Sequence, residues 1–172
     1  AQRKATREFR DTRDMSETVV TVSREINAPP EEVWAMVSDV TRMGEWSPEA
    51  TGARWRGGAS GPTVGARFSG KNRRGWRRWS TVGEVTESEP GKAFAFDIFA
   101  GPLKVATWSY RFEPTADGCR VEETWTDSRS GPVLKVAGLL ASGVSDRATH
   151  NRAGMEETLA NLAKAAEGAH AG

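Results

Sequence analysis

A chain of 172 residues, 37% of them hydrophobic, is long enough for one well-buried domain and short for two. Its 24 basic and 23 acidic side chains nearly cancel, which argues against a nucleic-acid binder, and no apolar run approaches the roughly 20 residues that cross a bilayer. Cys119 stands alone, so an intrachain disulfide is excluded and a reducing compartment, by default the cytoplasm, is expected.

Residues 1–14 carry Arg3, Lys4, Arg7, Arg10 and Arg13 against Glu8, Asp11 and Asp14, leaving 19 basic and 20 acidic residues beyond them. Basic residues without an apolar core do not make a signal peptide. Met15-Ser16-Glu17 reads as a start, so residues 1–16 are expected to be a flexible extension, 17–167 a single domain and 168–172 a flexible tail. Thr18–Ile26 alternates around Val20, Val22 and Ile26 and predicts a first strand. Pro29-Pro30-Glu31-Glu32 then sets prolines at a helix start and carboxylates at its positive end, with Val33, Trp34 and Val37 on the buried face. Ser38 or Asp39 caps a second short turn, which Trp46-Ser47-Pro48 closes.

Glycine and proline clusters cut the next stretch into six predicted strands, over 53–56, 66–71, 75–88, 93–99, 104–113 and Cys119–Asp127. Short turns such as Asn72-Arg73-Arg74-Gly75, Glu89-Pro90-Gly91 and Asp117-Gly118 favour an antiparallel meander. Over 131–171, Val133, Ala137, Leu140, Val144, Ala148, Met155, Leu159 and Leu162 recur at steps of three, four or seven. That spacing predicts one long helix whose whole stripe is buried against the sheet. The fold class is therefore α+β: a seven-stranded curved antiparallel sheet around a long C-terminal helix, with two short helices between the first two strands.

A sheet curved around a helix has one concave face, and strand parity points Trp79, Phe96, Trp108, Tyr110 and Trp125 into it. These aromatics either line an apolar cavity or fill a core. The same parity turns Glu123 and Asp127 inward beside Trp125, and Arg77 beside Trp79. Since an inward carboxylate is costly unless paired or wet, Glu123 is either a ligand-bonding or acid/base group, or the partner of an arginine near the sheet's end. Helical steps of three and four put Asn151 on the buried face between Ala148 and Met155, bonded either to Arg147 or the sheet backbone, or to a ligand. His150 lies about 100° around the axis and is a surface residue unless a partner positions it as a base. Gly138, Gly143 and Gly154 suit close approach to the sheet, a kink, or a lid.

The basic run from Lys71 to Trp79 reads as a hairpin that sends its arginines into water and splits its tryptophans between faces. A salt-sensitive anionic ligand or surface contact suits it better than nucleic acid. With no phosphate-binding loop, no His-Cys spacing and no nucleophile elbow, neither a metal nor a cofactor is expected.

Several local patterns coincide: Ile26-Asn27-Ala28-Pro29 with Val33-Trp34, Asp39 and Arg42 before Trp46-Ser47-Pro48, and Val64-Gly65-Ala66-Arg67-Phe68. Glu89-Pro90-Gly91 with Phe94, and Gly154-Met155 with Thr158-Leu159 and Leu162, complete the set. Together they resemble the START and polyketide-cyclase-like (SRPBCC) superfamily of helix-grip fold, over about residues 18 to 166. The resemblance implies a cavity between sheet and C-terminal helix that holds a hydrophobic or aromatic, lipid- or polyketide-like molecule. The expected ligand-binding residues are Trp79, Phe96, Trp108, Tyr110, Glu123, Trp125, Leu140, Asn151 and Met155. An alternative is an aromatase or cyclase with Tyr110, Glu123 and His150 as acid/base candidates, and a third reading is an interaction module marked by an exposed apolar patch. The expected partner is the hydrophobic small molecule, with no nucleic acid and no stable membrane insertion; the oligomeric state is left open.

Overall fold

In the computed structural model, which describes residues 18–170, the chain forms β1 (Thr18–Ile26), α1 (Pro30–Ser38), a 3-10 turn (Val40–Glu45) and β2 (Ala50–Arg56). β3 (Arg67–Arg74), β4 (Arg77–Glu89), β5 (Ala93–Ala100), β6 (Leu103–Pro114) and β7 (Cys119–Asp127) follow, then α2 (Gly131–Ser142) and α3 (Arg147–Gly168). The expected extension over 1–16 and the last two residues of the expected tail lie outside the described residues. The tail's remaining residues finish α3 and bring His170 Nε2 to 2.8 Å from Glu32.

One antiparallel sheet runs in the order β1-β7-β6-β5-β4-β3-β2, so the expected α+β architecture holds. Consecutive strands from β2 to β7 neighbour one another, and only the passage from β1 to β2, through α1 and the 3-10 turn, crosses the sheet's width. Register shifts leave one extra residue in β2 between Ala50 and Gly52, in β4 between Val85 and Glu87, and in β6 between Lys104 and Ala106, and such bulges bend and twist their strands. Phe68 packs across Gly83, where any Cβ would strike the ring.

Pro30 at the first helical position and Glu31 and Glu32 in the first turn start α1, whose Val33, Met36 and Val37 are buried. Trp34 is only partly buried and donates its indole N–H to the Ala93 carbonyl at 2.8 Å. Asp39 caps the 3-10 turn by accepting from the Thr41 backbone N–H at 3.1 Å.

The single helix predicted over 131–171 is in fact two. Gly143 adopts the left-handed conformation (φ 69°) and ends α2, and Asp146 accepts from the Thr149 N–H at 3.1 Å to start α3. The apolar stripe is therefore not buried throughout. Val144, Met155, Leu159 and Leu162 enter the core, whereas Val133 and Leu140 are 78% and 69% exposed. A common spacing had merged two helices that present their apolar residues to different surroundings. The core joins the later part of α3 to Val20, Ile26, Phe94, Phe112 and Val121 of the sheet and to α1. Each fully buried leucine there contributes about 1.5–3 kcal/mol.

Candidate functional site

The upper part of this arrangement is not filled. A cavity of about 830 Å³ lies between the concave sheet, α2 and the first turns of α3. That volume is within the range of small-molecule sites. Its sheet wall consists of Phe68 from β3, Trp79 from β4, Phe96 from β5, Trp108 and Tyr110 from β6, and Glu123 and Trp125 from β7. Asn151 and Met155 of α3 face them, and Leu134, Ala137, Gly138 and Ala141 of α2 cover one side.

Register explains the polar centre. Tyr110 lies directly opposite Glu123 in the β6–β7 ladder, as Trp108 lies opposite Trp125 and Phe112 opposite Val121. The Tyr110 hydroxyl donates to Glu123 Oε1 at 2.8 Å, while Glu123 Oε2 has no partner among the described residues. Glu123 is only 2% exposed. Burial pushes its pKa up to about 8, against the smaller opposing effect of the Tyr110 hydrogen bond, so the carboxyl is mostly protonated at neutral pH. Burial, then the charge that Glu123 can carry, raises the Tyr110 phenol well above its ordinary range. With Oε1 engaged as acceptor, the acid proton belongs on Oε2, which makes this pair a neutral hydrogen-bonding centre in an aromatic enclosure. The partner of Glu123 is thus Tyr110 and not an arginine.

A second group stands at the cavity's rim. Glu49 accepts from Arg147 Nη1 at 3.0 and 3.1 Å and lies 2.8 Å from His150 Nε2. The same Arg147 nitrogen reaches Asn151 Oδ1 at 3.4 Å, and the guanidinium lies 5.8 Å from the Trp79 ring centre. Asn151 therefore has the intrahelical partner that sequence spacing allowed. Glu49 was not anticipated here; residues 147, 150 and 151 share a helical face, but nothing local marks the glutamate, 98 residues from Arg147, that joins them.

Asp127, also predicted inward, is held by Arg129 through Nε–Oδ1 and Nη2–Oδ2 contacts of 2.8 and 2.7 Å. Burial pushes the Asp127 pKa up, but the hydrogen bonds and charge of Arg129 outweigh it and hold the pKa below its ordinary value. The β3–β4 hairpin supports the lid: Arg77 donates to the Leu140 carbonyl, and Arg74 to those of Ser142 and Gly143 at 3.3 and 3.4 Å. Both cations sit at the negative end of α2.

Of the nine residues expected around a ligand, Trp79, Phe96, Trp108, Tyr110, Glu123, Trp125, Asn151 and Met155 line the cavity. Leu140 does not. It points to solvent because the break at Gly143 rotates its turn away from the face occupied by Met155. His150 belongs to the rim group with Glu49 rather than bonding to the Tyr110–Glu123 pair. Among the described residues no three His, Cys, Asp or Glu side chains stand close enough to hold a metal ion, and no helix is long and apolar enough to cross a membrane.

A family model described as "Polyketide cyclase / dehydrase and lipid transport" matches residues 17–167. Among solved structures, the chain is similar to the Polyketide_cyc-like protein Cgl2372 from Corynebacterium glutamicum, with 30% identity over 89% of this chain and 93% of that one and a TM-score of 0.62. It shares the fold of CV1439 from Chromobacterium violaceum (14% identity, 87% and 97% covered, TM-score 0.65). It also shares that of an AHSA1-like protein from Aeromonas hydrophila (19% identity, 89% and 94% covered, TM-score 0.60). No curated protein matches the chain at a significant level.

Proposed function

The chain belongs to the polyketide cyclase, dehydrase and lipid transport family, and from that membership we propose that residues 17–167 form one domain that binds a hydrophobic or aromatic, lipid- or polyketide-like small molecule in this cavity. The observation that carries the reading is the neutral, buried Glu123 with one unpartnered oxygen, set among Trp108, Tyr110 and Trp125 in an enclosure of about 830 Å³. Apolar contact with the aromatic wall supplies most of the affinity, at about 25 cal/mol per Å² of ligand surface buried, less the cost of fixing the ligand. The Tyr110–Glu123 pair orients a carbonyl or hydroxyl oxygen. A ligand carboxylate is disfavoured in that position, since its charge would lose water without gaining a cation. The single free thiol of Cys119, buried at the start of β7, supports a reducing compartment such as the cytoplasm.

Calorimetric titration with a neutral aromatic ketone, 2-acetylnaphthalene, tests the proposal. One saturable site that Glu123→Leu weakens is expected. A protein that binds neither this ketone nor any apolar molecule from a cell extract does not have the proposed role.

One observation favours a second reading, an aromatase or cyclase. A carboxyl titrating at about 8, 2.8 Å from a phenol, is suited to exchange protons with a poly-carbonyl chain near neutral pH. The cavity would contribute by folding the chain so that reacting carbons meet. Turnover of a poly-β-keto thioester that Glu123→Gln abolishes, with binding retained, would establish it.

A further inference from the structure

Eight large hydrophobic side chains are exposed among the described residues, and six of them gather at one end of the sheet: Trp76, Leu103, Val133, Val136, Leu139 and Leu140. Strand pairing brings them there. The β3–β4 turn, the β5–β6 turn and the end of β7, from which α2 departs, all lie at the same end. Contacts then join the pieces, because Arg77 donates to the Leu140 carbonyl while its guanidinium lies 4.6 Å from the ring centre of Trp76, itself 83% exposed.

α2 is unusual within this surface. Its cavity side presents Leu134, Ala137 and Ala141, its outer side Val133, Val136 and Leu140, and Lys135 is its only charged residue. A helix that is apolar all round is ordinarily covered all round. Here the outer side is bare, and an exposed patch of this kind marks a contact surface. Charge specifies its nature. Arg74 and Arg77 border the patch on the hairpin face that meets α2, Arg73 and Arg78 lie on the other face of the same hairpin end, and Lys135 stands on α2 itself, while the acids paired at this end, Glu49, Asp97 and Asp127, are engaged by Arg147, Lys104 and Arg129.

We infer that the outer face of α2, with Trp76 and Leu103, docks on an anionic membrane surface and presents the cavity's rim to the bilayer. Aliphatic side chains enter the acyl boundary, Trp76 sits at the interface, and the arginines reach the lipid phosphates along their apolar stems. Charge complementarity selects this occupant. A second copy would bring the same cations face to face across a two-fold axis, and an acidic protein surface would leave Val133, Val136 and Leu140 against polar groups.

Co-sedimentation of the full chain with vesicles tests the inference. Binding to phosphatidylcholine mixed with phosphatidylglycerol is expected to exceed binding to phosphatidylcholine alone by about tenfold and to fall with salt. The double variant V136E/L140E should lower it by about tenfold, and R73E/R78E should erase the preference for anionic lipid. All four sites are on the surface, so an unchanged melting temperature will show that the variants remain folded. The inference is overturned by absence of vesicle binding or by binding that survives V136E/L140E, as it would if the basic residues from Arg3 to Arg13 carried it. A dimer that V136E/L140E dissociates, or capture of an acidic protein without lipid binding, overturns it as well.

Discussion

Tyr110 and Glu123 face each other across the β6–β7 ladder, and their 2.8 Å hydrogen bond leaves the second carboxyl oxygen of Glu123 without a partner inside an aromatic cavity. Tyr110 belongs to the hydrophobic core and Glu123 is buried beside it, so the pair packs as well as hydrogen-bonds. On the proposed reading, the raised pKa of this carboxyl would make ligand binding depend on pH and favour neutral polar groups.

Stability should fall as pH rises from about 4.5 to about 8. The Glu123 pKa is raised from 4.5 to about 8 in the folded state, so the folded protein holds a proton in that window that the unfolded chain has released. The stabilisation associated with the neutral acid is present below the unfolded pKa and lost through the folded one, a change on the order of 5 kcal/mol at most. Urea unfolding at pH 5, 7 and 9 will measure it. The difference between wild type and Glu123→Gln should vary across that range, and a constant difference would refute the assignment.

Leu159→Ala and Leu162→Ala should each cost about 2–5 kcal/mol. Both side chains are buried in the core beneath the cavity, and removing three carbons leaves a void the sheet cannot close. Equilibrium denaturation will check this. Leu140→Ala, on the exposed side of the lid, should change stability by no more than about 0.5 kcal/mol.

Gly143→Ala should destabilise by about 1 kcal/mol, because alanine resists the left-handed conformation that ends α2. The new Cβ would also come within 2.7 Å of Arg77 Nε, disturbing a side chain that holds the lid's C-terminal end. Hydrogen exchange should therefore quicken in α2 while the amides of β6 and β7 keep their protection.

Glu49→Gln should loosen the rim without unfolding the domain. The glutamate joins Arg147 and His150, all three partly exposed, so the expected cost is about 1 kcal/mol, diminished by salt. A double-mutant cycle with Arg147→Ala will isolate the coupling, and faster release of a bound aromatic ketone is the accompanying kinetic change.

Much of the fold could be read locally. Alternation located β1 to the residue, and glycine and proline turns located β7 equally well and separated the other strands with ends displaced by a few positions. Parity likewise turned Tyr110, Glu123 and Trp125 inward before any pairing was known. Periodicity misled at the C-terminus, where Val133 and Leu140 fit the spacing of Met155 and Leu159 although Gly143 separates two helices. The glycine was visible, but a count of apolar steps gives it no weight.

The sequence by itself determined which side chains of the strands face inward, since a strand's two faces and a turn's backbone demands are properties of neighbouring residues. Only the tertiary structure decided what those side chains meet. The register of β6 on β7 gave Glu123 a tyrosine in place of an arginine, and chain closure brought Glu49 to Arg147 and His150 across about a hundred residues. Burial then raised the Glu123 pKa, an effect of the surrounding low-dielectric protein and therefore of residues distant in the chain.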